Sequence, residues 1–109
     1  MNSLEPLTDS VFYIMSAFSK PRHGYAVMQL IEDTTEGAFV VGPASLYTII
    51  KKLTKEAYIE LSPSPDSRRK VYVLTEAGRK ALEWDIARRK VMIDFAENGL
   101  KRGEQDDEN

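Results

Sequence analysis

Apolar residues recur along this chain at two different periods, and the change from one to the other marks out the elements. Leu7, Val11, Ile14, Met15 and Phe18 fall at helical spacing, with Thr8 or Asp9 available to cap a first helix. The stretch Ser19–Gly24 contains Pro21 and Gly24 and breaks it. A second helix is predicted from about Tyr25 to Asp33, with Val27, Met28 and Ile31 turned to the core. Gly37 ends it, and Ala38–Val41 reads as a short extended piece. Gly42-Pro43 opens a third helix, because proline is favoured at a first helical position where its missing N–H would be unpaired anyway.

The third helix carries the clearest pattern. Leu46, Ile49, Ile50, Leu53 and Ala57 share one face. Ala44, Thr48, Lys51 and Lys55 share the opposite one, flanked by Ser45, Tyr47 and Lys52. The period then drops to two. Tyr58–Leu61 and Arg69–Leu74 read as strands, the second alternating and rich in β-branched and aromatic residues. Ser62–Ser67, with Pro63 and Pro65, is the turn between them. Thr75 caps a last helix running to about Lys101.

Three helices, a two-stranded ribbon and a final helix make a mainly helical α+β chain of winged helix-turn-helix architecture. The expected organisation is a DNA-binding unit over 1–75, a C-terminal dimerisation helix over 76–102, and an acidic, aperiodic tail over 103–109 read as disordered. In a helix-turn-helix the N-terminal part of the second helix of the motif enters the major groove. Here that helix offers small residues for close approach (Ala44, Ser45) and hydroxyls for base edges or phosphates (Ser45, Thr48). Lys51, Lys52 and Lys55 follow, where they can neutralise phosphates. Arg68, Arg69 and Lys70 put a second basic cluster on the wing.

Charge sharpens this picture. The net charge of -2 is the wrong sign for a DNA binder. However, four acids lie in the tail, and the rest of the chain carries +2. From Pro43 to Thr75, six bases against three acids leave +3, so the middle is basic and the end acidic. The last helix is apolar on two sides. Leu82, Ile86, Ile93, Ala96 and Leu100 form one stripe; Trp84, Val91 and Phe95, with Ala81 and Met92 beside them, form another. One stripe packs on the helix's own domain and the other asks for a partner, a second copy of the chain, which implies a pseudo-palindromic operator. A winged helix used only for protein contact is the competing reading, and the basic faces argue against it.

The chain has no cysteine and one histidine, His23, beside a glycine in a turn. No disulfide framework, cysteine-ligated metal or Cys/His pair is available, no nucleophile-elbow pattern occurs, and His23 is read as structural. Neither an enzyme nor a cofactor or metal is expected. With no run of about 18 apolar residues and no signal-like N-terminus, a cytoplasmic, nucleoid-associated protein is expected.

Several stretches together resemble the PadR family of bacterial winged-helix transcriptional regulators, in its small subfamily with a single C-terminal helix. They are His23-Gly24-Tyr25, Pro43-Ala44-Ser45-Leu46-Tyr47, Lys52-Leu53, Tyr58-Ile59, Arg68-Arg69-Lys70-Val71-Tyr72 and Leu74-Thr75-Glu76-Ala77-Gly78-Arg79, and the resemblance spans roughly Leu7 to Leu82. It implies a repressor that binds double-stranded operator DNA as a homodimer through its last helix. It implies that Ser45, Tyr47, Thr48 and Lys51 fall in the recognition helix, and that Tyr25 contacts the DNA backbone or braces that helix. It also implies relief of repression by a small hydrophobic or phenolic ligand, for which Trp84 and Phe95 are the candidate aromatics, although plain packing is the preferred reading of Trp84. The family commonly has Gly where this chain has Ala44, and Pro where it has Thr48. Dimer contacts are expected from Leu82, Trp84, Ile86, Val91, Met92, Phe95 and Leu100.

Overall fold

The computed structural model describes residues 4–66 and 68–107, with side chains described to residue 103. Helix α1 (Asp9–Ala17) is capped by Thr8, whose Oγ1 accepts the Val11 amide at 3.2 Å. A two-residue strand β1 (Arg22–His23) leads directly into α2 (Gly24–Thr34). Thr35 closes α2: its hydroxyl donates to the Ile31 carbonyl and accepts the Phe39 amide. The left-handed pair Glu36 and Gly37 then turns the chain. Residues 38–41 enter no strand; instead Val41 is buried and Phe39 stacks on Tyr13, with ring centroids 4.6 Å apart.

Helix α3 (Pro43–Lys55) starts at Pro43 as expected and buries Leu46, Ile50 and Leu53. It stops short of Ala57. That residue is exposed with φ +61°, and the Tyr58 amide reaches back to the Leu53 carbonyl at 2.9 Å to close the helix end. Ala57 therefore leaves the core face on which its spacing put it. The wing is β2 (Ile59–Ser62) and β3 (Val71–Leu74), one residue later and two residues shorter than their hydrophobic patterns suggest.

The sheet has three strands, in the order β1-β3-β2, and not the two of the sequence reading. Arg22 faces Tyr72 and His23 faces Val71, so the turn between α1 and α2 is itself a ladder partner of β3. The core fills the space beneath: Ile14, Met15 and Phe18 of α1 and its C-terminus, Val27 and Ile31 of α2, the α3 face and Ile59.

The last helix, α4 (Glu76–Asp107), is fixed at its root by a short junction. Thr75 donates its amide to the Tyr58 carbonyl and its hydroxyl to the Ala57 carbonyl, while its Oγ1 accepts the Gly78 amide as an N-cap. Gly78 lies flat on the backbone there, and a Cβ in its place would run into the Tyr58 carbonyl. Ala81, Leu82 and Ile86 then pack on the head. Leu82 is only 8% exposed, so it belongs to the chain's own core and is not free to meet a partner; Ile86 is half-buried beside it. From Lys90 to Gly103 every residue is exposed. The helix has left the head, so the molecule measures 66 × 36 × 21 Å and its radius of gyration is 17.3 Å. A compact chain of this length would have about 13 Å. The helix also runs past its expected end at Lys101 and takes in residues 103–107, where disorder was expected, while Glu108 and Asn109 lie outside the described residues. No strong breaker stands between Lys101 and Asp107: a single Gly103 costs a helix only ~1 kcal/mol.

Asp85 is 0% exposed. Its Oδ1 accepts the Leu7 amide at 3.2 Å and Arg88 Nε at 2.8 Å, and its Oδ2 accepts Arg89 Nε at 2.7 Å. Arg89 continues the chain of contacts, donating to Asp9 Oδ1 and to the Leu7 carbonyl, both at 3.0 Å, with its guanidinium 4.2 Å from the centre of the Phe12 ring. Burial alone pushes the Asp85 carboxyl upward and is the largest single influence. The hydrogen bonds from Arg88, Arg89 and the Leu7 amide together outweigh it and hold the group below its ordinary value of 3.8.

Two outcomes are expected. Gly78→Ala lowers unfolding free energy by roughly 2–3 kcal/mol, because backbone and not a flexible side chain meets the new methyl. Gly99→Ala, with nothing within 4 Å of the added carbon, stays within about 1 kcal/mol of the wild type or exceeds it. Urea titrations of the two variants check this. The lowered Asp85 value means stability that is complete above pH 3.8 and lost as pH falls below it toward the folded-state value. Asp85→Asn is therefore destabilised by roughly 3 kcal/mol at neutral pH. It also loses less than the wild type between pH 5 and pH 2, as thermal melts across that range would read.

Candidate nucleic-acid interface

The outer surface of α3 is built by its own periodicity. With Leu46, Ile50 and Leu53 buried, helical geometry turns Ala44, Thr48, Lys51 and Lys55 straight outward. Tyr47 and Thr54 fall on the flank beside the wing, and Ser45 and Lys52 on the far flank. Thr48 gives its hydroxyl hydrogen to the Ala44 carbonyl at 2.9 Å, so it presents a methyl group and acceptor lone pairs to the outside.

Two grooves lie between α3 and the wing, divided by Tyr47 and Tyr72, which line both. The smaller, about 400 Å³, has Lys51, Thr54 and Lys55 on its walls. The larger, about 610 Å³, brings the wing's Arg68, Arg69 and Lys70 opposite His23 and Tyr25 at the start of α2. Tyr25, Tyr47, Lys51, Lys55, Arg68, Arg69 and Lys70 thus converge on one side of the head. Ala44 and Thr48 form the ridge beside them, and Ser45 and Lys52 stand on its far slope, outside both grooves.

The wing cluster lies in the loop between β2 and β3, not in the strand, since β3 begins only at Val71. Arg68 is drawn loosely to Asp66, at 3.4 Å in an exposed pair. Among the described residues, Lys51, Lys52, Lys55, Arg69 and Lys70 make no ion pair. These are surface cations without internal neutralisation, and a polyanion is the ligand such a surface suits.

Two contributors escaped the sequence reading. His23 caps α2, its Nδ1 accepting the Ala26 amide at 3.4 Å, while Nε2 faces Arg69 Nη1 at 3.2 Å. That contact joins the wing loop to the start of α2, both on the wall of the larger groove. Tyr72 packs edge-on against Phe18, centroids 6.0 Å apart, and carries the rest of its ring into the grooves. The alternation of Val71-Tyr72-Val73 was the available signal for Tyr72; no side-chain rule marks His23 as a cap. Gly24 lets the two helices meet: a Cβ there would stand 3.1 Å from Leu46 Cδ2 and 3.2 Å from the Tyr47 hydroxyl.

Among the described residues no group of His, Cys, Asp or Glu could hold a metal ion, and no helix is long and apolar enough to cross a membrane.

Known proteins share this fold. A PadR family transcriptional regulator from Eggerthella lenta superposes with a TM-score of 0.72 at 22% identity, covering 84% of this chain and 80% of that one. A transcriptional regulator from Clostridium thermocellum gives 0.69 at 18% identity, over 83% of this chain and 90% of that one. The protein smu.1704 from Streptococcus mutans gives 0.68 at 24% identity, over 93% and 95%. At these identities the likeness speaks for the fold. In sequence, an uncharacterized protein of Lysinibacillus sphaericus is 33% identical over 90 residues, covering 75% of this chain and 81% of its own length. The model of the transcriptional regulator PadR-like family matches residues 11–84, the span holding both grooves and the root of α4, and the chain belongs to that family.

Proposed function

We propose that this regulator is a homodimeric repressor that grips a pseudo-palindromic operator, with α3 in the major groove and the wing against the backbone. The observation that carries the reading is the convergence of unpaired cations from α3 and the wing on the two grooves beside Tyr47 and Tyr72. Lys51 and Lys55 neutralise phosphates flanking α3, and Arg68, Arg69 and Lys70 do so from the wing. Ala44, Ser45 and Thr48 face the base edges, and Tyr25 reaches the backbone from the start of α2.

The free part of α4 supports the dimer. Beyond Arg89, the face that packs on the head continues as Met92, Ile93, Ala96 and Leu100, with Val91 and Phe95 next to it. All are exposed, Phe95 at 81%. Lys90, Asp94, Glu97 and Lys101 occupy the other side. One broad apolar face on a stretch of helix that is exposed at every position from 90 to 103 calls for a second copy, and a two-fold pair places half-sites about 10 bp apart or a multiple of it. Repression is the mode the family resemblance implies. Relief by a small hydrophobic or phenolic ligand would act between the two helices, where Trp84, 36% exposed, and Phe95 are the aromatics within reach.

Fluorescence anisotropy against the DNA upstream of the chain's own gene, at several salt concentrations, tests the DNA reading. Binding is expected to exceed that to scrambled DNA. Lys51→Ala and Arg69→Ala should each weaken it and lower the slope of log K against log salt by about one. A shallow slope with no preference over scrambled DNA at this and at randomised sites would instead favour a protein-binding module. For the dimer, Phe95→Glu should give a folded monomer by light scattering at concentrations where the wild type is paired. A variant that stays dimeric excludes this face as the interface.

A further inference from the structure

We propose that the Asp85–Arg89 cluster sets the angle at which α4 leaves the head, and through it the half-site spacing the dimer accepts. The proposal rests on the reading of an α4-mediated dimer on DNA. It starts from an oddity of placement. A fully buried carboxylate gripped by two arginines is no stronger a stabiliser than well-packed apolar side chains of similar volume, because desolvation consumes most of the Coulomb gain. What such a cluster supplies, and Ala81, Leu82 and Ile86 do not, is direction. Apolar packing holds a helix close but tolerates sliding and rotation. Hydrogen bonds at 2.7 and 2.8 Å hold defined atoms to defined partners.

The partners are well distributed for that task. Arg88 and Arg89 hold Asp85 from within α4, and the Leu7 amide holds it from the segment before α1. Arg89 then reaches the Leu7 carbonyl, the Asp9 carboxylate on the first residue of α1, and the face of Phe12 one turn further on. Tilt of α4 over α1 and rotation about its own axis are both constrained. The cluster is also the last attachment: from Lys90 to Gly103 every residue is exposed. Beyond it α4 extends roughly 27 Å to Asp107 at ~1.5 Å per residue. Over that length a rotation of about 7° moves the far end by ~3.4 Å, the rise of one base pair. Asp85 and Arg89 also lie on the face that continues as Met92, Ala96 and Leu100, so the clamp orients the head directly against the proposed dimer seam.

The experiment compares the wild type with Asp85→Leu/Arg89→Met, which replaces the pair by apolar side chains of similar bulk. Affinity is measured for a single half-site and for operators whose half-sites are moved apart or together one base pair at a time. In parallel, Ser19→Cys gives each head one label site, since the chain has no cysteine of its own, and spin-label distances between heads are read in the free dimer. The wild type should show a narrow distance and lose about tenfold in affinity per base pair off its optimum. The variant should remain dimeric and bind a single half-site within about twofold of the wild type, with a broadened distance and a spacing profile flattened to less than about threefold. A folded, dimeric variant with an unchanged distance and profile overturns the proposal alone. A wild type that is monomeric or indifferent to spacing overturns it together with the dimer reading. Should the double variant fail to fold, Asp85→Glu keeps the charge but lengthens the arm, and must shift the optimum or broaden it; an unchanged profile there is equally fatal.

Discussion

The arrangement depends on the pairing of β3 along both of its edges. Val71 to Leu74 are all laddered to β2 on one side, Val71 and Tyr72 are laddered to β1 on the other, and the Leu74 amide closes onto the Phe18 carbonyl at 2.8 Å. An isolated two-stranded ribbon is marginal in water. Here the third strand is supplied by the turn between α1 and α2, which ties the wing to the helices. Because β1 runs straight into α2, the same pairing that completes the sheet sets the wing loop opposite the start of α2. It therefore decides that Arg68, Arg69 and Lys70 face Tyr25 across a groove instead of waving free in solvent. Arg22 secures the other end of β1, its Nε donating to the Ala17 carbonyl at 2.8 Å.

Most of this was legible wherever a local rule applies. The amphipathic period of α3, Pro43 at its start, Thr8 and Thr75 as caps and the alternation of β3 are each decided by a few neighbouring residues. The misses have non-local causes. Arg22–His23 is two polar residues between a proline and a glycine, and nothing in it reads as strand; it becomes one because β3 offers an unpaired edge. Ala57 fits the helical period of α3, but the chain must turn there to begin β2. No local pattern marks Asp85 as buried, because the Leu7 amide that it accepts is 78 residues away.

The last helix illustrates why a stripe drawn on a sequence can mislead. Leu82 and Leu100 share a face by spacing, yet one is in the core and the other is exposed. Periodicity reports direction around the axis and says nothing about where along the axis the neighbouring domain ends. That boundary falls at Arg89. Above it the apolar face is spent on the head; below it the same face is available. One continuous helix therefore carries the same apolar face through two environments, buried against the head and then exposed, with no linker between them.

The cations divide in a way that a net charge of -2 conceals. Three arginines, each with a planar fork of donors, hold geometry within the fold: Arg22 on a backbone carbonyl, Arg88 and Arg89 on Asp85, Arg89 also on Leu7 and Asp9. Lysine, a flexible point charge, is placed on the outer face of α3, where Lys51, Lys52 and Lys55 have no internal partner among the described residues. Arg88 and Arg89 are neutralised by Asp85 and Asp9 and add little field outside the fold, while Glu104, Asp106 and Asp107 lie at the far end of α4 from the head. At a Debye length of about 8 Å in physiological salt, charges separated by most of a helix barely interact. The α3–wing side of the head thus meets its surroundings as a basic surface, whatever the sum over the chain, and the charge that matters for a polyanion is the one left unpaired beside the grooves.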